Sequence, residues 1–187
     1  MRQRDDAVFL RLLQTTAIAS NEASDIRSAA SVCLDETRRA MGWSIGHLYV
    51  LSEDGQWMEP SGVWSVDDPD TFAPFQQVTN TLRLPIGKGV PGQVLLGGRP
   101  HWILDVAQND PDLPRAAAAA SVGLRGGLAF PILTGTAVSG ALEFYAAEVV
   151  QPDESLLEIL AQVGRQLGRV VERERAAREL RASEARF

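Results

Sequence analysis

Apolar residues along this chain pass from a helical period to strict alternation and back, and those changes divide it into elements. Val8, Phe9, Leu12, Leu13 and Thr16 form one helical stripe. After a break at Ser20 and Asn21, Ile26, Ala30, Cys33, Thr37 and Ala40 repeat at helical spacing until Gly42 ends the run. Trp43, Ile45, His47, Tyr49 and Leu51 then alternate with Ser44, Gly46, Leu48 and Val50; Asp54-Gly55 supplies a turn, and Trp57 to Trp64 reads as the returning strand. Pro60 has no N–H for a ladder, which places that strand at an edge. A second hairpin runs from Gly127 to Leu133, turns around Gly135 and returns from Ala137 to Tyr145, apolar on both faces as central strands covered on both sides are. Between the hairpins we expect a helix over 67–81, a short strand over 82–84 and a glycine loop over 87–92. A helical turn ended by Gly97-Gly98, a strand over 101–104 and a helix from near Asp112 to Gly123 follow. From Pro152 to Phe187 the chain reads as one long helix.

Leu156, Leu160, Val163, Leu167 and Val170 follow one another in that helix at spacings of four, three, four and three, the seam of a two-stranded coiled coil. Beyond Val170 the seam thins, with Glu174 and Arg181 at the next positions and only Ala177 between them. The same stripe would also serve a helix packed on its own domain; a parallel homodimer joined through these five residues is our expectation.

At 187 residues, 45% apolar and 22% charged, the chain has the composition of one globular core with flanking helices. A net charge of -6 and a pI near 5.0 argue against a general nucleic-acid surface, although residues 165–186 hold seven Arg against four Glu. Cys33 is the single cysteine, so there is no disulfide framework and no cysteine-rich metal site, which suits a reducing cytoplasm. The charged start from Met1 to Asp6 is not a secretory leader. The uncharged stretch from Gly126 to Leu142 carries four glycines and Pro131, so we read it as a hairpin and expect no membrane insertion.

Several fragments, taken in order, resemble a bacterial GAF domain. They are Gly42-Trp43-Ser44-Ile45-Gly46-His47, Gly89-Val90-Pro91-Gly92-Gln93-Val94, Gly98-Arg99-Pro100 through Asp105-Val106, Gly123-Leu124-Arg125, Ala129-Phe130-Pro131 and Gly140-Ala141-Leu142-Glu143-Phe144. The resemblance spans roughly residues 25–169 and is strongest to the sensory modules of histidine kinases; the closing stretch 179–187 resembles the start of a PAS domain. It implies an α+β fold, an antiparallel sheet with helices on both faces, flanked by N-terminal helices and a long C-terminal signalling helix. The expected division is an N-terminal helix over 1–20, the GAF domain over 21–151, and over 152–187 a signalling helix leading toward a downstream PAS-like domain. The resemblance also implies a small-molecule pocket between the sheet and one helical layer, and dimerisation through terminal helices.

Gly87-Lys88-Gly89-Val90-Pro91-Gly92 spells a dinucleotide fingerprint, and Asp112 follows at about the expected distance. The helix that should cradle a pyrophosphate is cut by Gly97-Gly98, and no parallel crossover unit follows, so tight turns explain the glycines better. His47 and His101 are the two histidines and cannot complete a metal site without further ligands. Some GAF sensors hold haem through one histidine, but neither residue here lies in a haem motif, and the helix that carries the bilin cysteine in pigment-binding relatives has no cysteine over 105–121. We therefore expect neither haem nor covalent bilin, and leave the cofactor unassigned. The family's free methionine sulfoxide reductases relay electrons through several cysteines, which Cys33 alone cannot do.

No catalytic residue is assigned. Pocket candidates are the aromatic or polar residues on strands that otherwise read as core: His47, Trp64, Trp102, Phe130 and Glu143. Glu143, between Leu142 and Phe144, would need a partner such as Arg125 or Arg115, or else a raised pKa. The function expected is a cytoplasmic sensory and dimerisation module of a signal-transduction protein, a sensor histidine kinase, that couples small-molecule or partner binding to the packing of C-terminal helices. The alternative is a stand-alone small-molecule-binding or enzymatic GAF protein.

Overall fold

The computed structural model describes residues 2–106 and 114–186, and side chains from Asp6 onward. In chain order the elements are α1 (Arg2–Glu22), α2 (Ile26–Met41), β1 (Ile45–Leu51), β2 (Trp57–Val66), α3 (Pro69–Asn80), β3 (Leu84–Pro85), α4 (Gly89–Gly97), β4 (His101–Ile103), α5 (Ala116–Ser121), β5 (Gly126–Thr134), β6 (Ala137–Ala146) and α6 (Glu154–Glu184). The fold is α+β, as expected. Local chemistry sets several ends. Asp25, Asp68 and Asp153 each accept backbone N–H bonds from the first turn of the helix they precede, and Gly42 closes α2 in the left-handed conformation at φ 67°. The acidic run 67–70 is thus a helix start, with Asp68 as its cap.

Six strands pair antiparallel in the order β3-β2-β1-β6-β5-β4, so β1 and β6 lie at the centre. β3 covers β2 only at Trp57 and Met58, which leaves Pro60 on an uncovered stretch where no ladder bond is lost. Alternation sorts the strands into two faces. Leu48, Leu128, Phe130, Ile132, Leu142 and Phe144 pack with α1, α2 and α6; Ile45, Tyr49, Ala129, Ala141 and Tyr145 pack with the side bearing α3, α4 and α5.

Helix α6 lies along β5 and touches α1 and α2. Leu156, Leu160, Val163, Leu167 and Val170 are 0 to 5% exposed inside this single chain. The expected dimer seam is therefore corrected: the stripe packs on the chain's own sheet and helices, so no second copy is required to bury it. Gly164 and Gly168 lie on the same side, and a Cβ at either would overlap the carbonyl oxygen of Pro131 or Leu133. The first half of α6 thus belongs to the domain's core, and the boundary expected at residue 152 does not separate two packed units.

Just past this stripe α6 binds the corner between α1 and α2. Arg173 Nη2 donates to the carbonyls of Ser20 (2.7 Å) and Ala23 (2.9 Å) at the end of α1. Glu174 Oε2 accepts the N–H of Ile26 (3.1 Å) at the start of α2. A cation at a helix C-terminus and an anion at the next N-terminus are both favourably placed against the helix dipoles. Beyond them, most of the residues from 175 to 186 are exposed.

Two helix boundaries differ from expectation. α4 begins at Gly89 and has nine residues, because Gly89 takes φ 61° and lets the loop enter a helix at once. α5 is described from Ala116, and the expected start at Asp112 lies outside the described residues.

Candidate functional site

The antiparallel register places His47 of β1 directly opposite Glu143 of β6, in the two central strands. Both side chains are 1% exposed and project to the α3/α4/α5 face, together with Tyr49 and Tyr145 two residues along. From the helical layer Arg115, which precedes α5, closes over them. Its Nη1 donates to Glu143 Oε1 (2.7 Å) and to Thr79 Oγ1 (3.1 Å); its Nη2 donates to Glu143 Oε2 (2.6 Å) and to the Tyr145 hydroxyl (3.2 Å). The guanidinium also lies 5.3 to 5.7 Å from the ring centres of Phe75, Tyr49 and Tyr145. Sequence reasoning offered Arg115 or Arg125 as partners of Glu143; Arg125 instead pairs with Asp105 at the surface.

Ionisation follows from this packing. Burial alone would raise the Glu143 carboxyl, but the adjacent charge and hydrogen bonds of Arg115, helped by His47, bring it down to about 2. Burial would likewise discharge Arg115, yet Glu143 holds it firmly cationic. Burial lowers His47 below 6.5 despite Glu143, so the ring is neutral near pH 7. Desolvation raises both Tyr49 and Tyr145, which stay protonated. The charges of the cluster sum to zero.

The imidazole tautomer is fixed by elimination. His47 Nδ1 lies 3.3 Å from Glu143 Oε1, and an ionised carboxylate can only accept, so Nδ1 carries the proton. Nε2 is then a bare acceptor, buried and without a hydrogen-bond partner among the described residues. Trp64 stacks on the ring at 3.9 Å between centroids, while Tyr49 meets it edge-on at 4.8 Å. Trp64 is itself anchored by Nε1 to Asn80 Oδ1 at 3.0 Å.

Of the five pocket candidates, the fold brings together His47, Trp64 and Glu143. Phe130 and Trp102 fall on the opposite face: Phe130 stacks with Phe144 under the α1/α2/α6 layer, and Trp102 donates to the Val150 carbonyl at 2.7 Å. Arg115, Thr79, Phe75, Tyr49 and Tyr145 were not singled out as pocket residues. Tyr49 and Tyr145 were within reach, since each follows a candidate by two positions on the same strand.

Next to Arg115 and Tyr145 is a pocket walled by Val90, Ile103, Val106 and Ala119, with about 10 Å³ open, room for one water. The glycine loop beside it is closed on itself. Gly87 N–H donates to the Gly92 carbonyl (2.8 Å), Gln93 Nε2 donates to the Gly87 carbonyl (2.7 Å), and a Cβ at Gly92 would meet the Pro85 carbonyl. Those groups are spent inside the loop and do not form a phosphate cradle. His101 lies on edge strand β4, three strand spacings from β1, or about 14 Å across the sheet. Among the described residues no group of three or more His, Cys, Asp or Glu could hold a metal, and no helix is long and apolar enough to cross a membrane. Cys33 is buried on α2, on the other side of the sheet, with its thiol pushed up to about 11 by burial.

A family model described as GAF domain matches residues 23–172, four-fifths of the chain. This chain belongs to the GAF domain family. Solved structures agree on the fold. The free methionine-R-sulfoxide reductase of Neisseria meningitidis, solved with its substrate, is 18% identical with a TM-score of 0.73, covering 91% of this chain and 92% of that one. The GAF domain of a phosphoenolpyruvate-protein phosphotransferase from Coxiella burnetii is also 18% identical at TM-score 0.73, covering 90% and 95%. Its counterpart from Acinetobacter is 15% identical at TM-score 0.71, covering 91% and 97%. A search of curated proteins finds no match. GAF relatives of this shape thus include both an enzyme and parts of larger phosphotransferases.

Proposed function

We propose that this GAF domain is a sensory module of a signal-transduction protein, a cytoplasmic sensor histidine kinase, in which a small molecule under α4 and α5 alters how α6 leaves the domain. The observation that carries this reading is the neutral buried cluster of Arg115, Glu143 and His47 beside an apolar pocket. Polar groups gathered at a cost in desolvation, with an acceptor still unsatisfied, are the features of a recognition site. With room for one water, the pocket takes a larger ligand only when α5 moves away from α4. The ligand is uncharged or zwitterionic, because a net ion would compete for Arg115 or Glu143 and leave the other charge buried alone.

Homodimerisation is part of this proposal, through exposed Leu10 and Ile18 of α1 and Leu180 of α6, since the original stripe is occupied within the chain. The enzymatic alternative draws on the reductase fold likeness. Against it, Cys33 is the single thiol and lies across the sheet from the pocket. Native mass spectrometry of freshly purified protein, with light scattering on the same sample, tests the proposal. A retained small molecule, released by Arg115→Met, and a dimeric mass are expected. Sulfoxide-reductase turnover would overturn it.

A further inference from the structure

We propose that the cleft where α6 leaves the sheet, lined by Arg27, Arg175 and Arg178 over an apolar floor, is a second binding site, for a small soluble amphipathic anion: a carboxylate or phosphate monoester with a short alkyl or aryl tail. The cleft encloses about 270 Å³ between the start of α2, the ends of β1, β5 and β6, and the outgoing half of α6. It lies on the α1/α2/α6 side of the sheet, apart from the cluster around Glu143, and does not rest on the reading of that cluster.

Three features make it a site. First, the cations converge. Val171, Glu174, Arg175 and Arg178 occupy positions i, i+3, i+4 and i+7 of α6, one face, and Arg27 comes from the first turn of α2. Three guanidinium groups meet one carboxylate, a local surplus of positive charge in a chain whose net charge is -6. Second, donors remain. Arg27 uses Nη1 on the Ser61 carbonyl (2.8 Å), Arg178 uses Nη2 on Glu174, and Arg175 has no acidic partner among the described residues. A guanidinium has five N–H donors, so most of the fifteen remain for a ligand. Third, the floor is apolar. Val50, Ile132 and Val171 line it, with Gly140 among them at a close approach to the Tyr49 carbonyl. A bare inorganic anion would leave that surface wet, whereas a short tail would cover it at roughly 25 cal/mol per Å² removed from water.

The position gives binding a consequence. Glu174 joins the cleft to the helix corner, because one carboxylate oxygen holds Arg178 and the other holds the Ile26 N–H. An anion that takes over Arg178 leaves Glu174 on α2 and ties α6 to the sheet one turn farther along.

The test is calorimetric titration with octanoate and octyl phosphate, below their micelle concentrations, against the wild-type chain and Arg175→Gln/Arg178→Gln. The arginines are exposed, so the variant is expected to keep its circular dichroism and melting temperature. Wild type should bind both probes, weaken in raised salt and lose about tenfold or more in affinity in the variant. Octan-1-ol and inorganic phosphate should bind at least about tenfold more weakly than octyl phosphate. The proposal falls if octanoate does not bind, if the double variant binds unchanged, or if inorganic phosphate matches octyl phosphate. It also falls if the arginines serve to pellet the protein with phosphatidylglycerol vesicles while free octanoate leaves it unaffected.

Discussion

Arg115 and Glu143 meet through two parallel hydrogen bonds of 2.7 and 2.6 Å at a place where neither side chain is more than 4% exposed. The pair joins the helical layer to the central strand of the sheet, and among the described residues each charge has the other as its only full counterion.

Removing one member should therefore cost more than removing both. Arg115→Met leaves a buried carboxylate unpaired and is expected to lose about 3–5 kcal/mol of unfolding free energy. Arg115→Met/Glu143→Leu should lose clearly less than the sum of the single variants. Urea denaturation of the four proteins in a double-mutant cycle measures the difference; additive losses would mean the pair is not coupled.

Acid should weaken the fold in two stages. Glu143 and His47 both titrate lower in the folded protein than in the unfolded chain. In each case the unfolded chain binds the extra proton first, so the stability is present above the unfolded value and is lost as pH falls through the folded one. The His47 loss begins below about 6.5 and the Glu143 loss runs from 4.5 down to about 2. The melting temperature should decline through the first window in wild type and stay flatter there in His47→Gln.

Helix α6 should tolerate no side chain at its contact with β5. Gly168→Ala and Gly164→Ala place a methyl group against the Leu133 and Pro131 carbonyls. Each is expected to destabilise by about 1–3 kcal/mol or more, although alanine is the better helix former. Gly→Ala variants that melt at the wild-type temperature would refute the close approach.

Charge on the buried stripe should unfold the domain, and charge on the outer face should not. Leu160→Glu puts a carboxylate in the core and should abolish cooperative unfolding, whereas Leu180, 61% exposed, should accept Glu without loss of melting temperature. Light scattering on Leu180→Glu then reads assembly alone, and a monomeric mass against a dimeric wild type is expected.

Much of this architecture was legible from periodicity. The alternation from Trp43 to Leu51 pointed to a strand, and the two-sided apolar hairpin around Gly135 pointed to strands inside the sheet, where β5 and β6 lie. Two things were not legible. The four-three spacing from Leu156 to Val170 is the same whether the facing surface is another helix or a sheet, so it could not name its partner. The available signal was Gly164 and Gly168, two small residues one helical turn apart within the stripe, which mark a backbone approached too closely for side chains. The candidate site was half legible for a similar reason. Strand parity brings His47 and Glu143 to one face and sends Phe130 to the other, but parity is useful only once the register is known. Arg115 stands outside any periodic pattern, before a run of five alanines, and only the folded chain selects it over Arg125.

The two glycines of α6 also decide what kind of motion this helix can transmit. A slide of one residue along its axis, about 1.5 Å, would drive a Cβ toward the carbonyls that Gly164 and Gly168 now accommodate. The close backbone approach at these two glycines therefore opposes a piston-like stroke of the helix along its axis. With Arg173 and Glu174 pinning the corner above, the packed half turns or tilts only together with the sheet. If the proposed signalling role holds, torque or bend past residue 174 is the motion this packing favours over thrust along the helix axis.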